Sequence, residues 1–244
     1  MKKKVLIIAL AVALVAIMVS GSLAYFTAED KVDNTFTVGS VLIDIWENNA
    51  PTDSDKVVFE KPLVPVVNTQ DVTQDPGYAP KIVKVKNTGK NDAYIRTHIA
   101  VPTALLDYLE LRFNLAGWTL NGTIAGSSTA TVDGVAYTVY TYDHTAAVTP
   151  GTFTAELLQG AYLKSNVDLE ENASGNLMFI LRDADGNKIA GSDFVAHTKN
   201  PDGSYTSGAV NILVAAEAIQ AQGFNNGATN ALNSGFGAYT NPWQ

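Results

Sequence analysis

The chain contains no cysteine among its 244 residues. That excludes disulfides, thiolate metal ligands and cysteine nucleophiles, so stability has to come from a core and from backbone ladders. Histidine is nearly as scarce. His98, His144 and His197 stand far apart, and no HExxH pattern sets two of them on one helical face beside a glutamate base. GxSxG, Walker A and GxGxxG patterns are missing as well, which leaves hydrolase and nucleotide-binding readings without their signatures. Carboxylates are numerous enough to supply a glycosidase pair, but nothing in the sequence selects two of them. No catalytic residue is therefore assigned. Basic residues are in the minority, 16 Lys+Arg against 24 Asp+Glu for a net charge of −8. A chain so poor in positive charge lacks the basic face that nucleic acid or anionic lipid requires.

What is present begins at the N-terminus. Lys2, Lys3 and Lys4 precede an unbroken apolar run from Val5 to Val19, and Ser20, Gly21 and Ser22 then interrupt it. Ser22 and Ala24 supply small side chains at the two positions a signal peptidase reads, so cleavage is expected after Ala24 with Tyr25 as the new first residue. The run falls short of the roughly 20 residues that cross a bilayer comfortably. Export would remove three lysines and leave 13 Lys+Arg against 24 Asp+Glu, a charge of −11.

The stretch GSLAYFTAEDKVDNTFTVGSVLIDI resembles the N-terminus of the TasA/camelysin family of secreted Gram-positive matrix proteins, whose leaders are processed by a SipW-type signal peptidase. The likeness rests on Tyr25-Phe26 close behind the small-residue site, and on Asn34-Thr35-Phe36-Thr37-Val38-Gly39 leading into a strand. VKNTGKNDAYIR, TPGTFTAELLQGAYLKSNVD and VAAEAIQAQGF are similar to further phrases of that family, respectively a turn between strands, a connector crossing between sheets and a last strand. The resemblance implies a jelly roll. It also implies a fibre subunit secreted to the extracellular matrix or cell surface.

Period-two alternation dominates the rest of the chain. Val41, Ile43 and Ile45 share one face of a strand. Val83 and Val85 point inward and Lys84 and Lys86 outward on the next. After a turn at Asn87 to Asn91, Ala93, Ile95, Thr97, Ile99 and Val101 return on one face, with His98 expected outward beside Arg96. Lys56 to Phe59 reads as a short strand, and Pro62 and Pro65 keep the following stretch extended. Asp75-Pro76-Gly77 is a turn. Thr103 to Leu111 spaces its apolar residues as a short helix behind a threonine cap. Val135 to Tyr142 is a strand. Leu177 to Arg182 and Lys188 to Ala190 make a hairpin around Asp185-Gly186, a pair suited to a type I′ turn. Val210 to Ala218 alternates as the final strand, and the Gly-, Asn- and Ala-rich residues from Asn225 read as a loosely ordered tail.

The expected architecture is all-β, a jelly-roll-like β-sandwich with one or more short helices behind a cleavable signal peptide. Residues 1–24 are the leader, 25–38 a donor-strand segment, 39–224 the sandwich and 225–244 the tail. The function expected is a homopolymer, each subunit completing the sheet of the next with Tyr25, Phe26, Val32 and Phe36 as interface anchors. A camelysin-like metallopeptidase and a monomeric adhesin or carbohydrate-binding module are the alternatives. Expected partners are further copies of the chain, the signal peptidase during export, and other matrix proteins or polysaccharide.

No cofactor or metal site is assigned beyond weak calcium binding at acidic turns, around Asp53 and Asp55 or over Asp168, Glu170 and Glu171. Asp183-Ala184-Asp185-Gly186-Asn187 has the opening of a calcium loop, but Phe194 stands where an EF-hand needs its bidentate glutamate. A plain turn is the reading there. Trp46, Trp118, Tyr140, Tyr142 and Trp243 are the candidate aromatics for a carbohydrate platform, against core packing for Trp118 and strand-surface packing for the two tyrosines.

Overall fold

The computed structural model describes residues 27–30, 41–52, 56–57, 64–67, 70–121, 129–207, 211–224, 226–238 and 242–243. The leader, its cleavage residues Ser22, Ala24 and Tyr25, and the anchors Phe26, Val32 and Phe36 lie outside them. The fold is an all-β sandwich, as the alternation implies, of the jelly-roll-like form that the resemblance implies.

One sheet is built on β6 (Ala93–Pro102), which is flanked by β10 (Val135–His144) and by β16 (Ile212–Gln220), all antiparallel. Beyond β10 lie β8 (Trp118–Leu120) and β9 (Thr129–Val132). Beyond β16 lie β1 (Thr27–Asp30) and β4 (Lys56–Val57). The facing sheet runs β3 (Ala50–Pro51), β2 (Ile43–Glu47), β5 (Ala79–Asn87), β11 (Leu158–Leu163), β7 (Leu109–Phe113). A third sheet is formed by β12 (Val167–Glu171), β13 (Leu177–Leu181), β14 (Phe194–Lys199) and β15 (Tyr205–Ser207), and its Val167, Phe179 and Ala196 join the main core.

The core between the first two sheets comes from the alternating faces read in the sequence. Val41, Ile43, Ile45, Val83 and Val85 meet Ile95, Ile99, Val101, Val214, Ala216 and Ala218. Burying an aliphatic side chain of this size removes about 1.5–3 kcal/mol of unfavourable hydration, so this seam supplies the main driving force. Gly160 sits at a register shift in β11, where an added Cβ would run into the Tyr78 ring. Only glycine lets the bulged strand lie that close to the ring.

Several expectations need correction. Thr103 starts no helix. A single 3-10 turn, Thr103–Leu105, leads into strand β7, and the Thr103 hydroxyl meets that of Thr138 at 3.0 Å instead of capping. Leu109, Leu111 and Phe113 fit a strand as well as a helix, and pairing with β11 decides between them. Asp185-Gly186 does not form a type I′ turn, since only Gly186 has positive φ (+83°). Gly186 N donates to Asp183 O and Asp183 N to Asn187 O, the pattern of a type I turn followed by a left-handed glycine. Tyr142 is not on a surface. It is 5% exposed against Phe113, and burial pushes its hydroxyl up to about 12.

The largest departure is the tail. Ala228–Phe236 forms a helix, α1, which lies on the outer face of the β6 sheet and buries Ala228, Ala231 and Leu232 against Ile219. Gly237 ends it at φ +82°, a conformation that suits glycine. The molecule is thus three layers deep at β16. This explains why every residue from Ile212 to Gln220 is buried instead of every second one.

Candidate functional site: the outer edge and outer face of the last strand

Two features meet on β16, an edge filled by the N-terminal strand and a buried polar network on the face beneath α1. The edge comes first. β1 pairs antiparallel with it, Thr27 opposite Ile219, Ala28 opposite Ala218, Glu29 opposite Glu217 and Asp30 opposite Ala216. Farther along, Ile212 and Leu213 face Val57 and Lys56 of β4. A strand with β6 on one side would otherwise present unpaired N–H and C=O groups on the other, and β1 and β4 cap that row. Segment 25–38 therefore contributes Thr27–Asp30 to a ladder within its own chain.

The network occupies the face that alternation assigns to solvent. Arg96 and His98 do point away from the sandwich core, but both are fully buried, because α1 and Trp243 cover them. Arg96 Nε donates to Asp143 Oδ1 (2.7 Å) and Nη2 to Asp143 Oδ2 (3.2 Å). Its remaining contacts reach the helix layer, Nη2 to Asn233 Oδ1 and Nη1 to the carbonyl of Gly237 (2.8 Å). Asn121 Nδ2 donates to both Asp143 Oδ2 and Asn233 Oδ1, each at 3.0 Å. A buried guanidinium is tolerable only when carboxylate and carbonyl acceptors surround it, as they do here.

Beside this pair, His98 Nδ1 meets the Thr141 hydroxyl at 2.9 Å, and Nε2 lies 3.4 Å from Glu217 Oε2 without hydrogen-bond geometry. Trp243 stands edge-on to the His98 ring, 6.4 Å between centroids. Glu217 is opposite Glu29 of β1 in register, so the network and the filled edge share a residue. The chain matches no known family model and no curated protein.

The arrangement is suited to holding layers together, since its charged groups are enclosed and spent on one another. His144 sits elsewhere, edge-on to Trp118, with Nδ1 near the carbonyl of Ala146 and Nε2 accepting from Ala155 N. His197 lies on β14 in the third sheet. Among the described residues, no three His, Asp or Glu side chains converge as a metal set.

Of the acidic turns, Asp53 and Asp55 lie outside the described residues. Asp168 and Glu170 accept from Arg182 at 2.7 and 2.9 Å, and Glu171 lies 3.7 Å from Lys199. Asp183 Oδ1 caps the N–H groups of Asp185 and Asn187, which uses that oxygen within the turn. The aromatics do not gather into one platform. Trp118 and Tyr142 are in the core, Trp243 covers His98, and Trp46 packs edge-on against Phe153 on the outer face of the β2–β5 sheet.

The sequence missed Asp143, Asn121, Glu217 and Asn233 as members of the network. Glu217 was legible as the lone charge in ILVAAEAIQ, where a buried strand must supply it with a partner.

Proposed function

We propose that the mature chain is a secreted structural subunit of the TasA/camelysin kind. It polymerises by exchanging its N-terminal segment, so that β1 of one copy fills the β16 edge of the next. The observation that carries this reading is the position of Thr27–Asp30 on that edge. The segment that processing frees is the one that completes the sheet. A ladder formed within one chain can form between two copies with the same register, because exchanging an identical element costs no contacts. The 12 residues between Asp30 and Ile43 reach at most about 40 Å when extended, enough to span to a neighbour. A head-to-tail exchange that does not close on itself grows a filament.

Because the same ladder forms within a chain and between copies, its bonds of about 1 kcal/mol each make no net contribution toward association costs of several kcal/mol. The anchors Tyr25, Phe26, Val32 and Phe36 are assigned the remainder. Until cleavage the leader holds the segment at the membrane, which delays exchange until export. Removal of residues 25–33 from the mature form tests the reading by electron microscopy. Filaments should be lost and then restored when an excess of a peptide carrying 25–38 is replaced by intact subunits. Undiminished filaments from the deletion would overturn it.

A monomeric glycan-binding module is the second reading, and one feature favours it. Lys84 Nζ lies 4.7 Å from the Phe153 ring centroid and Lys86 Nζ 5.4 Å from both Phe153 and Trp46. Neither ammonium has a carboxylate partner among the described residues. Binding of acidic polysaccharide by a stable monomer, abolished in Trp46→Ala, would favour this reading over polymerisation.

A further inference from the structure

An Asn-Gly pair is where a polypeptide most readily modifies itself, because glycine has no Cβ to keep its backbone nitrogen from the preceding side chain. This chain has two such pairs, Asn121-Gly122 and Asn226-Gly227, and the fold treats their asparagines oppositely. Asn121 is 9% exposed, and its Nδ2 donates to Asp143 Oδ2 and to Asn233 Oδ1, each at 3.0 Å. Its amide cannot swing onto the backbone without leaving buried acceptors unpaired. Asn226 is exposed, and its side-chain amide has no hydrogen bond among the described residues. Gly227, also exposed, is the N-cap of α1. Its N–H donates to no backbone acceptor among the described residues, as expected where a helix begins. No atom stands within 4 Å of where its side chain would be, so water and hydroxide reach this peptide bond.

We propose that Asn226-Gly227 is a self-modification site, where Asn226 converts to aspartyl and β-aspartyl forms at the head of α1 while the buried Asn121 is preserved. Hydroxide takes the Gly227 amide proton, and the nitrogen attacks Asn226 Cγ. A Cγ–N bond forms, the Cγ–Nδ2 bond breaks, and Nδ2 leaves as ammonia, giving a succinimide. Water then opens the ring. Cleavage of the new Cγ–N bond gives aspartate in an unchanged backbone. Cleavage of the original C–N bond gives the β-aspartyl form, in which the main chain runs through Cβ and Cγ. The second product lengthens the backbone by a carbon and takes the Asn226 carbonyl out of the main chain. Asn230 Nδ2, a residue of α1, donates to that carbonyl at 2.7 Å. The helix and its cap in turn supply Asn233 Oδ1 and the Gly237 carbonyl to Arg96. The reaction therefore acts on the layer that covers the buried network, and it needs no reagent but water.

Incubation of the folded chain in mildly alkaline buffer, followed by peptide mapping with mass spectrometry, tests the assignment. Conversion at Asn226 should run at least tenfold faster than at Asn121, and a rate no faster than at Asn121 would overturn it. In urea the two rates should come within a few-fold of each other, because unfolding removes the protection of Asn121. A tenfold gap that persists in urea would overturn the role given to the fold. Chains carrying the β-aspartyl form should then exchange the amides of α1 several-fold faster than unconverted chains. Asn226→Asp brings the charge without the added backbone carbon, so it should leave α1 protected. Equal exchange in all three would overturn the effect on the helix layer.

Discussion

The two faces of the β6–β16 sheet solve the same burial problem by different means. The inner face is closed by Ile95, Ile99, Val214, Ala216 and Ala218 against a second sheet. The outer face is closed by a nine-residue helix, a few apolar contacts around Ile219 and Leu232, and the Arg96–Asp143–Asn233 network. Apolar packing is non-directional and spread over many atoms. The network is directional and concentrated in a few bonds. An inner layer of this kind tolerates gradual change, whereas the outer layer is intact or broken as a unit.

Mutations should separate the two, and the largest effect is expected on the polar face. Arg96→Met leaves Asp143 buried without its cation and should cost about 3–5 kcal/mol, read from urea unfolding. The double change Arg96→Met with Asp143→Leu should recover most of that loss, because removing both charges removes the desolvation penalty. Failure of the double variant to recover would break the distinction between the faces. On the inner face Ile99→Ala should cost about 2–5 kcal/mol, with no comparable rescue by a second truncation.

Asn233→Ala strands donors of Arg96 and Asn121 and should cost about 1–3 kcal/mol. The loss should register as faster amide exchange in α1 while the inner strands stay protected. Smallest of all, Asp168→Asn in the exposed third sheet should change stability by no more than about 1 kcal/mol.

The pH arms follow the same division. A hydrogen bond from the Arg182 guanidinium holds the Asp168 carboxyl below the ordinary aspartate range. Its small contribution is in place above the unfolded-state value and fades as pH falls through the lower folded value. Tyr142 behaves in the opposite sense, since burial raises its hydroxyl to about 12. The stability it reports is intact below the ordinary tyrosine value near 10 and declines as pH climbs toward the folded one. Calorimetry from pH 9 to 12, with Tyr142→Phe as the comparison, should show the decline flattened in the variant.

The inner face was legible because Val83/Val85 and Ala93 through Val101 alternate with polar neighbours, and that period fits a strand buried on one side. The outer face was not, for a physical reason. Arg96 and His98 occupy the positions that alternation gives to solvent, and period-two patterning cannot tell water from a polar covering layer. Nor does the helix announce itself. ATNALNSGF carries a glycine and two asparagines, no ion pairs, and no side-chain cap at Gly227, so packing on Ile219 has to stabilise what propensity does not. The β16 edge was half legible. An N-terminal segment seeking a sheet was expected, but its partner strand emerges only from long-range pairing.

Light scattering on a chain that begins at Tyr25, across a wide concentration range, tests the central claim most directly. Exchange at the β16 edge predicts mass that rises with concentration into filaments. A single-subunit mass at every concentration, with Thr27–Asp30 still protected on β16 in amide exchange, would contradict it.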